Sequence, residues 1–275
     1  MGIIFYNKKR IILIKDKKIY KIKAKILRNI IVLDYVKKKS KNETKKIHYE
    51  LTRNFFRKNA ISQKGYYDAK NVNELKHDFK QNKMWEICTS FIDIIVNNKR
   101  EYKNIIDVGC GIGDFTIDLV NRYSYFKKIV GIDFLDEVID LAKKNANKCD
   151  KVTFLKGDML NLPFENRSFD ISICINVIHH IYIKDLELSI KELARITDKY
   201  MIIEIRNKKN IFNFWFKYFS LPILYKNLPV FSCSITELNE ILKNYNFKLK
   251  NVKGIYPRTW ICRRLLLIYK RANID

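Results

Sequence analysis

Beyond residue 103 the chain alternates between two textures. Short apolar runs predict strands at Ile105–Val108, Lys128–Ile132, Lys151–Lys156, Ile171–Ile175 and Tyr200–Ile205. Between them, apolar positions recurring every three or four residues predict helices at Asp114–Tyr123, Asp136–Asn147 and Lys184–Ile196. The second of these has acids in its first turn and lysines near its end, as the helix dipole favours. A further helix, Ile235–Asn244, opens with Ser234 and Glu237 in capping-box spacing. Phe247–Val252 and Leu265–Tyr269 supply two closing strands. Strands alternating with helices predict an α/β fold, a mostly parallel sheet with helices on both faces.

Ahead of residue 100 the pattern differs. Ile19–Ile26 alternates apolar and basic residues, the period of a half-exposed strand. With Lys15–Lys18 as the turn and Arg10–Ile14 as partner, it predicts a small basic β-hairpin. The polar run Lys37–Lys46 reads as a linker. Tyr49–Lys58 and Val72–Val96 predict helices, the second with Met84, Ile87, Cys88, Phe91 and Ile94 or Ile95 on one face. The expected organisation is a basic N-terminal extension (1–50), a helical lead-in or cap (51–100) and a main domain (101–275).

Composition narrows the class. A chain of 275 residues that is 47% hydrophobic and 13% aromatic is not disordered, and 8 Gly with 4 Pro exclude a collagen-like repeat. No run of about 18 residues is free of charge, as a membrane-spanning helix requires. The most weakly charged stretch, Ile211–Phe231, is interrupted by Lys217, Lys226 and two prolines. Ile11–Ile14 is too short for the apolar core of a signal peptide, and lysines follow it. The six cysteines are scattered without a C-x-x-C pair, which fits neither a disulfide framework nor a zinc ribbon and points to a reducing cytoplasm. No metal-binding motif such as H-E-x-x-H is present, so no metal is expected.

Charge opens two further possibilities. Lys and Arg total 54 against 29 acids, a net +25, and residues 1–50 alone hold 16 basic and 4 acidic side chains. Such a field attracts RNA or an anionic membrane surface. The 41 lysines against 13 arginines fit a compositional bias with a solvated basic surface equally well.

The candidate chemistry centres on Ile105–Phe115, IIDVGCGIGDF. An apolar strand runs into a turn with Gly109, Gly111 and Gly113, and a helix follows. Glycine takes backbone angles other residues resist, and its bare main chain lets a ligand lie close. The G-x-G-x-G spacing departs from the G-x-G-x-x-G of dinucleotide binding. Asp107, just before the turn, suits a cationic group better than a pyrophosphate, though it is also placed to bond local backbone. The next strand ends at Asp133, where an acid can accept from both ribose hydroxyls of a nucleoside or cap the following helix. Asp158 closes the third strand, placed to accept from an adenine amino group or to begin a loop. Asn176, His179 and His180 follow the fourth strand.

This set resembles the class I S-adenosylmethionine-dependent methyltransferases, closest to the small-molecule branch that includes quinone-biosynthesis enzymes. The likeness is strong over residues 100–206, looser over 207–275, and does not reach 1–60. It implies a Rossmann-like seven-stranded sheet with the last strand antiparallel, and S-adenosyl-L-methionine as cofactor. Carried onto this chain, it puts Asp107, Gly109, Cys110, Gly111 and Gly113 at the methionine part and Asp133 at the ribose. Phe134 falls on the adenine, Asp158 and Met159 at the adenine edge, and Asn176 near the sulfonium. Tyr66 and Tyr67 match an aromatic lid, with core packing as the alternative. The lysine-proline-glycine-glycine turn usual before strand five is replaced by Ile196–Tyr200.

Methyl transfer needs a base only when the acceptor is a weak acid, and His179 and His180 are the candidates, with packing at a helix start as their other role. Phe212 and Trp215, in the aromatic-rich stretch 211–225, share a helical face that would line an apolar acceptor pocket, touch a membrane surface or join the core. The expected acceptor is a small molecule, of lipid, isoprenoid or quinone, polyketide or lipid-linked sugar type, reached in the cytoplasm or at the membrane surface. RNA is the alternative acceptor, through the basic N-terminal region. Against it, the fourth strand ends in Asn-Val-Ile-His, unlike the Pro-Pro motif of exocyclic-amine nucleic-acid methylation. An inactive cofactor-binding scaffold is a third reading.

Overall fold

The computed structural model describes residues 4–6, 9–11, 41–61, 72–97, 101–146, 149–210, 230–256 and 258–272. Seven strands form one sheet: β3 (Asn104–Val108), β4 (Lys128–Asp133), β5 (Val152–Lys156), β6 (Phe169–Cys174), β7 (Thr197–Arg206), β8 (Phe247–Gly254) and β9 (Arg264–Arg271). Their order is β5-β4-β3-β6-β7-β9-β8, and β9 runs antiparallel to both neighbours while the other pairs are parallel. Two short strands, β1 (Ile4–Tyr6) and β2 (Lys9–Ile11), pair antiparallel as a separate sheet. β2 overlaps the start of the hairpin's expected first strand, Arg10–Ile14, but pairs with β1 upstream of it, and the expected second strand, Ile19–Ile26, falls outside the described residues.

The helices are α1 (Lys41–Ile61), α2 (Val72–Val96), α3 (Asp114–Arg122), α4 (Asp136–Asn145), α5 (Leu186–Ile196) and α6 (Ile235–Lys243). Central strands β3, β4 and β6 are apolar almost throughout because both faces are covered, whereas edge strand β5 buries only Phe154 deeply. One face packs on α5 and α6 through Ile190, Leu193, Leu238 and Leu242. The other packs on α2 and α3 through Met84, Cys88, Phe91, Phe115 and Leu119. Of the two isoleucines left open on α2, Ile95 is buried and Ile94 is exposed. The capping box forms: Ser234 Oγ accepts from the Glu237 N–H at 3.1 Å, and the Glu237 carboxylate accepts from the Ser234 N–H at 2.6 Å.

Two local expectations are corrected. Lys41–Lys46 is the first part of α1 rather than linker. Its described side chains bury little beyond His48 and Thr52, so the apolar periodicity that betrays a helix is missing. The helix-to-strand joint before β7 contains no loop, since α5 ends at Ile196 and β7 begins at Thr197. The Thr197 hydroxyl donates to the Leu193 carbonyl at 2.5 Å and meets Ser172 Oγ at 2.6 Å. Arg271, on β9, donates to the carbonyls of Ala194, Thr197, Asp198 and Tyr245 at 2.6–2.9 Å. An arginine thus satisfies the helix-end carbonyls that a glycine turn satisfies by other means.

The strand order reverses between β3 and β6: from β3 the chain moves outward through β4 and β5, then returns to β3's other side. Crevices in open α/β sheets form at such switch points, beyond the carboxyl ends of the strands. Among the described residues no helix is long and apolar enough to cross a membrane.

Candidate functional site

The glycine turn leaves β3 at the switch point and is tied to β4 by its backbone. The N–H groups of Gly109 and Cys110 both donate to the Ile132 carbonyl, at 2.7 and 3.1 Å. Gly109 has φ +82°, and a Cβ there would sit 2.0 Å from Val177 Cγ2. Gly113, at φ +89°, is the N-cap of α3, and a Cβ on it would press into the Phe154 ring at 2.7 Å. Both positions therefore exclude side chains on two grounds, conformation and space.

Two carboxylates stand against this backbone. Asp107 is 4% exposed and accepts one bond from the Thr116 hydroxyl at 2.7 Å. Burial pushes its carboxyl up to about 7; the Thr116 bond opposes the shift, and the charge of Asp133 adds to it. Asp133 accepts from the N–H groups of Gly111 and Leu135, each at 3.2 Å. It does not cap α4, whose N-cap is Leu135; it bridges the loops that follow β3 and β4. Burial raises its carboxyl to about 6 against the pull of those backbone donors. Buried carboxylates held this high gain from a cation laid beside them.

An open cleft lies here, bounded by Asp107 and Gly109–Ile112, by Asp114 and Phe115 at the start of α3, and by Ile175 and Asn176 after β6. Trp85 of α2 completes it, stacked on Phe115 with ring centroids 5.3 Å apart and planes 27° from parallel. Trp85 and Asp114 escape the sequence reading. Trp85 stands next to the apolar stripe of α2 without belonging to it, and only its position between Met84 and Ile87 hints that it reaches past the core.

Asn176 adopts φ +63° and is held on both sides. Its N–H donates to Glu204 at 2.9 Å, and its side-chain oxygen accepts from Arg264 at 2.8 Å. Glu204 is fully buried and takes two bonds from the Arg264 guanidinium, at 2.6 and 2.7 Å. Burial alone would raise the Glu204 carboxyl, but Arg264, with Arg206 and the Asn176 N–H, holds it below the usual range. Nothing local in the sequence announces this pair, since its members lie 60 residues apart.

The other expected residues spread around this centre. Phe134 is half-buried. Asp158 is exposed and accepts from the Leu160 N–H at 2.9 Å, while Met159 is buried in the core beside Ile106 and Leu162. Neither lines the cleft. His179 and His180 form a buried 3-10 turn with Ile178, their rings 4.1 Å apart. Burial, then His180, Arg206 and Arg264, keep the His179 imidazole neutral. His48 of α1 joins them, bonded through Nε2 to the His180 carbonyl at 2.7 Å, and Phe56 packs edge-on against His180. The same helix pairs Lys45 and Tyr49 with Asp185, both at 2.8 Å, and Arg57 with Glu137 of α4 at 2.6 Å. Thus α1 bridges the turn after β6 to the start of α4. Tyr66, Tyr67, Phe212 and Trp215 lie outside the described residues.

Residues 105–199 match the family described as a methyltransferase domain. Over 117 residues the chain is 31% identical to norajmaline N-methyltransferase of Rauvolfia serpentina, covering 42% of this chain and 39% of that protein. It is 28% identical over 100 residues to the demethylmenaquinone methyltransferase of Staphylococcus saprophyticus, covering 36% of this chain and 42% of that one. The matches thus span about two fifths of the length of these curated relatives. Among solved structures, magnesium protoporphyrin IX methyltransferase of Synechocystis PCC 6803 with bound SAH gives a TM-score of 0.64. That likeness covers 82% of this chain and 100% of the other at 18% identity, and is one of fold.

Proposed function

We propose that this chain, whose residues 105–199 belong to the methyltransferase domain family and whose sheet has the class I S-adenosylmethionine-dependent architecture, transfers a methyl group to a small-molecule acceptor. The observation that carries the proposal is the cleft at the switch point, where side-chain-free backbone meets two carboxylates raised by burial. Those features fit S-adenosylmethionine: glycines that admit no Cβ for the methionine part, Asp107 for its cationic groups, and Asp133 for the ribose. Relatives named for small-molecule acceptors support that class for this chain.

When bound, S-adenosylmethionine supplies a sulfonium-activated methyl group, so positioning can provide most of the acceleration. The residues of the chain then have distinct tasks. Asp107 takes up its charge as a cation arrives, and Trp85 with Phe115 forms an aromatic wall suited to a sulfonium. Phe134 is left for the adenine side, since Asp158 and Met159 stand away from the cleft. Asn176, fixed by Glu204 and Arg264, presents a rigid edge where β6 meets the reacting centre. For an acceptor that must lose a proton, the neutral imidazole of His179 and the adjoining His180 are the candidate bases.

The test is calorimetry with S-adenosylmethionine and S-adenosylhomocysteine, followed by incubation with methyl-labelled cofactor and cell extract fractionated into lipid, RNA, protein and small molecules. Both ligands are expected to bind, label is expected in the small-molecule or lipid fraction, and Asp133→Ala is expected to abolish it. No heat from either ligand overturns cofactor binding, and label confined to RNA overturns the small-molecule acceptor.

A further inference from the structure

The cleft at the switch point carries a charge opposite to that of the molecule around it. The chain has a net charge of +25, yet among the described residues no lysine, arginine or histidine borders the cleft, while Asp107 and Asp114 both do. The Arg264 guanidinium that reaches the Asn176 side chain is already matched by its two hydrogen bonds to the buried Glu204. We propose that this cleft reads the charge on the cofactor's sulfur: it holds cationic S-adenosylmethionine more tightly than the neutral S-adenosylhomocysteine left after transfer, and Asp114 makes the distinction. The proposal rests on the methyltransferase reading and deepens it by stating how occupancy of that same site is regulated, with spent product yielding to fresh cofactor.

The two acids are held differently. Asp107 is buried and accepts the Thr116 hydroxyl. Asp114, half-buried in the first turn of α3, has neither a hydrogen bond nor an ion pair among the described residues. Burial raises its carboxyl, with no donor opposing the shift. A carboxylate drawn partly out of water and left without a partner gains when a cation arrives. The start of a helix favours an acid for its dipole alone. What sets Asp114 apart is that it also borders the cleft beside Phe115, on which Trp85 stacks. Acid and aromatic wall thus stand side by side, attracting a cation by charge and by ring quadrupole together.

The reaction itself switches this attraction off. In methyl transfer the methyl carbon bonds to the acceptor while its bond to sulfur breaks, and the electron pair of that bond stays on sulfur. The sulfonium thereby becomes a neutral thioether. The ammonium and carboxylate of the methionine part are the same before and after, so the sulfur's charge, with the methyl group, is all that distinguishes cofactor from product. Apolar walls such as Phe115 and Ile175 keep the local dielectric low, where a single charge counts for most. After transfer the acids of the cleft face one cation fewer, and the hold on the product loosens.

The experiment is calorimetry on the full chain at pH 8 with S-adenosylmethionine, S-adenosylhomocysteine and sinefungin, the analogue in which a carbon-bound ammonium replaces the methylated sulfonium. Both cationic ligands are expected to bind roughly tenfold or more tightly than S-adenosylhomocysteine. Asp114→Asn should cut that ratio to about threefold or less, and Asp114→Glu should keep most of it. Asp118→Asn removes an equal charge from α3 at a position that pairs with Arg122 and does not border the cleft, and should keep the ratio whole. S-adenosylhomocysteine binding as tightly as S-adenosylmethionine in the unaltered protein overturns the charge preference and leaves cofactor binding standing. A ratio that survives Asp114→Asn, or falls equally with Asp118→Asn, overturns the assignment to Asp114. No heat from any of the three ligands sinks the methyltransferase reading, and the proposal with it.

Discussion

Where β3 and β4 end, backbone does the holding: glycines at positive φ, N–H groups on the Ile132 carbonyl, and two carboxylates raised by burial. Where β6, β7 and β9 end, side chains do it: Arg264 clasps Glu204, and together they fix Asn176 from both sides. The first region leaves negative charge poorly solvated and ready for a cationic ligand. The second has already neutralised its buried carboxylate and stays rigid without a ligand. Recognition and rigidity are thus assigned to different halves of one sheet edge, by different chemical means.

The most damaging way to break the first half is Gly109→Val. The new side chain meets Val177 and a backbone angle it resists, so S-adenosylmethionine affinity should fall more than 100-fold, with a lowered melting temperature, as calorimetry and a thermal melt would report. Affinity within threefold of the unaltered protein would show that the turn does not carry binding.

The second half should break through stability first. Glu204→Gln leaves the Arg264 charge buried with half its partner gone, a loss on the order of 3–5 kcal/mol by urea denaturation. Replacing both, Glu204→Leu with Arg264→Met, should recover most of that stability while Asn176 loses its two anchors and turnover falls. Full turnover in the double variant would mean that Asn176 needs no holding.

The smallest effect sharpens the comparison by its sign. The Asp107 carboxyl is raised in the folded protein, so its neutral form favours folding: that contribution is whole below about pH 4 and is lost as pH rises through about 7. Asp107→Asn should therefore raise the stability of the ligand-free protein at pH 8 and leave it little changed at pH 4. Ligand binding runs the other way. If only the ionised form binds, S-adenosylmethionine affinity should weaken roughly tenfold from pH 8 to pH 6, and Asp107→Asn should flatten that profile at the weak end. A steep profile in the variant would assign the titration elsewhere.

The same division separates what sequence reveals from what it hides. The glycine turn, Asp107 and Asp133 are neighbours along the chain or one β-α step apart, and each has a residue type that local chemistry demands. Strand and helix positions from Ile105 to Tyr269 follow for the same reason, since buried parallel strands must be apolar and their helices one-sided. The Glu204–Arg264 pair, Arg271 beneath the end of α5, and Trp85 in the cleft depend on which distant segments the fold brings together. No spacing rule points to them. The start of α1 was hidden by a different cause: a helix that buries so little shows no apolar stripe to read.

The position of β9 bears on the order in which the molecule can assemble. Although it is the last strand in the chain, it is wedged between β7 and β8, and β8 has no other partner in the sheet. During synthesis β8 must therefore wait, its edge unmatched, until the ribosome has delivered β9, and Arg271 then locks the α5–β7 joint from β9's far end. The half that carries the glycine turn, β3 to β5, has emerged well before that moment. A nascent chain stalled after β8 would present the glycine turn with Asn176 still lacking its Arg264 anchor, beside an open seam, the state in which a chaperone or a second nascent chain would find a strand edge to pair with.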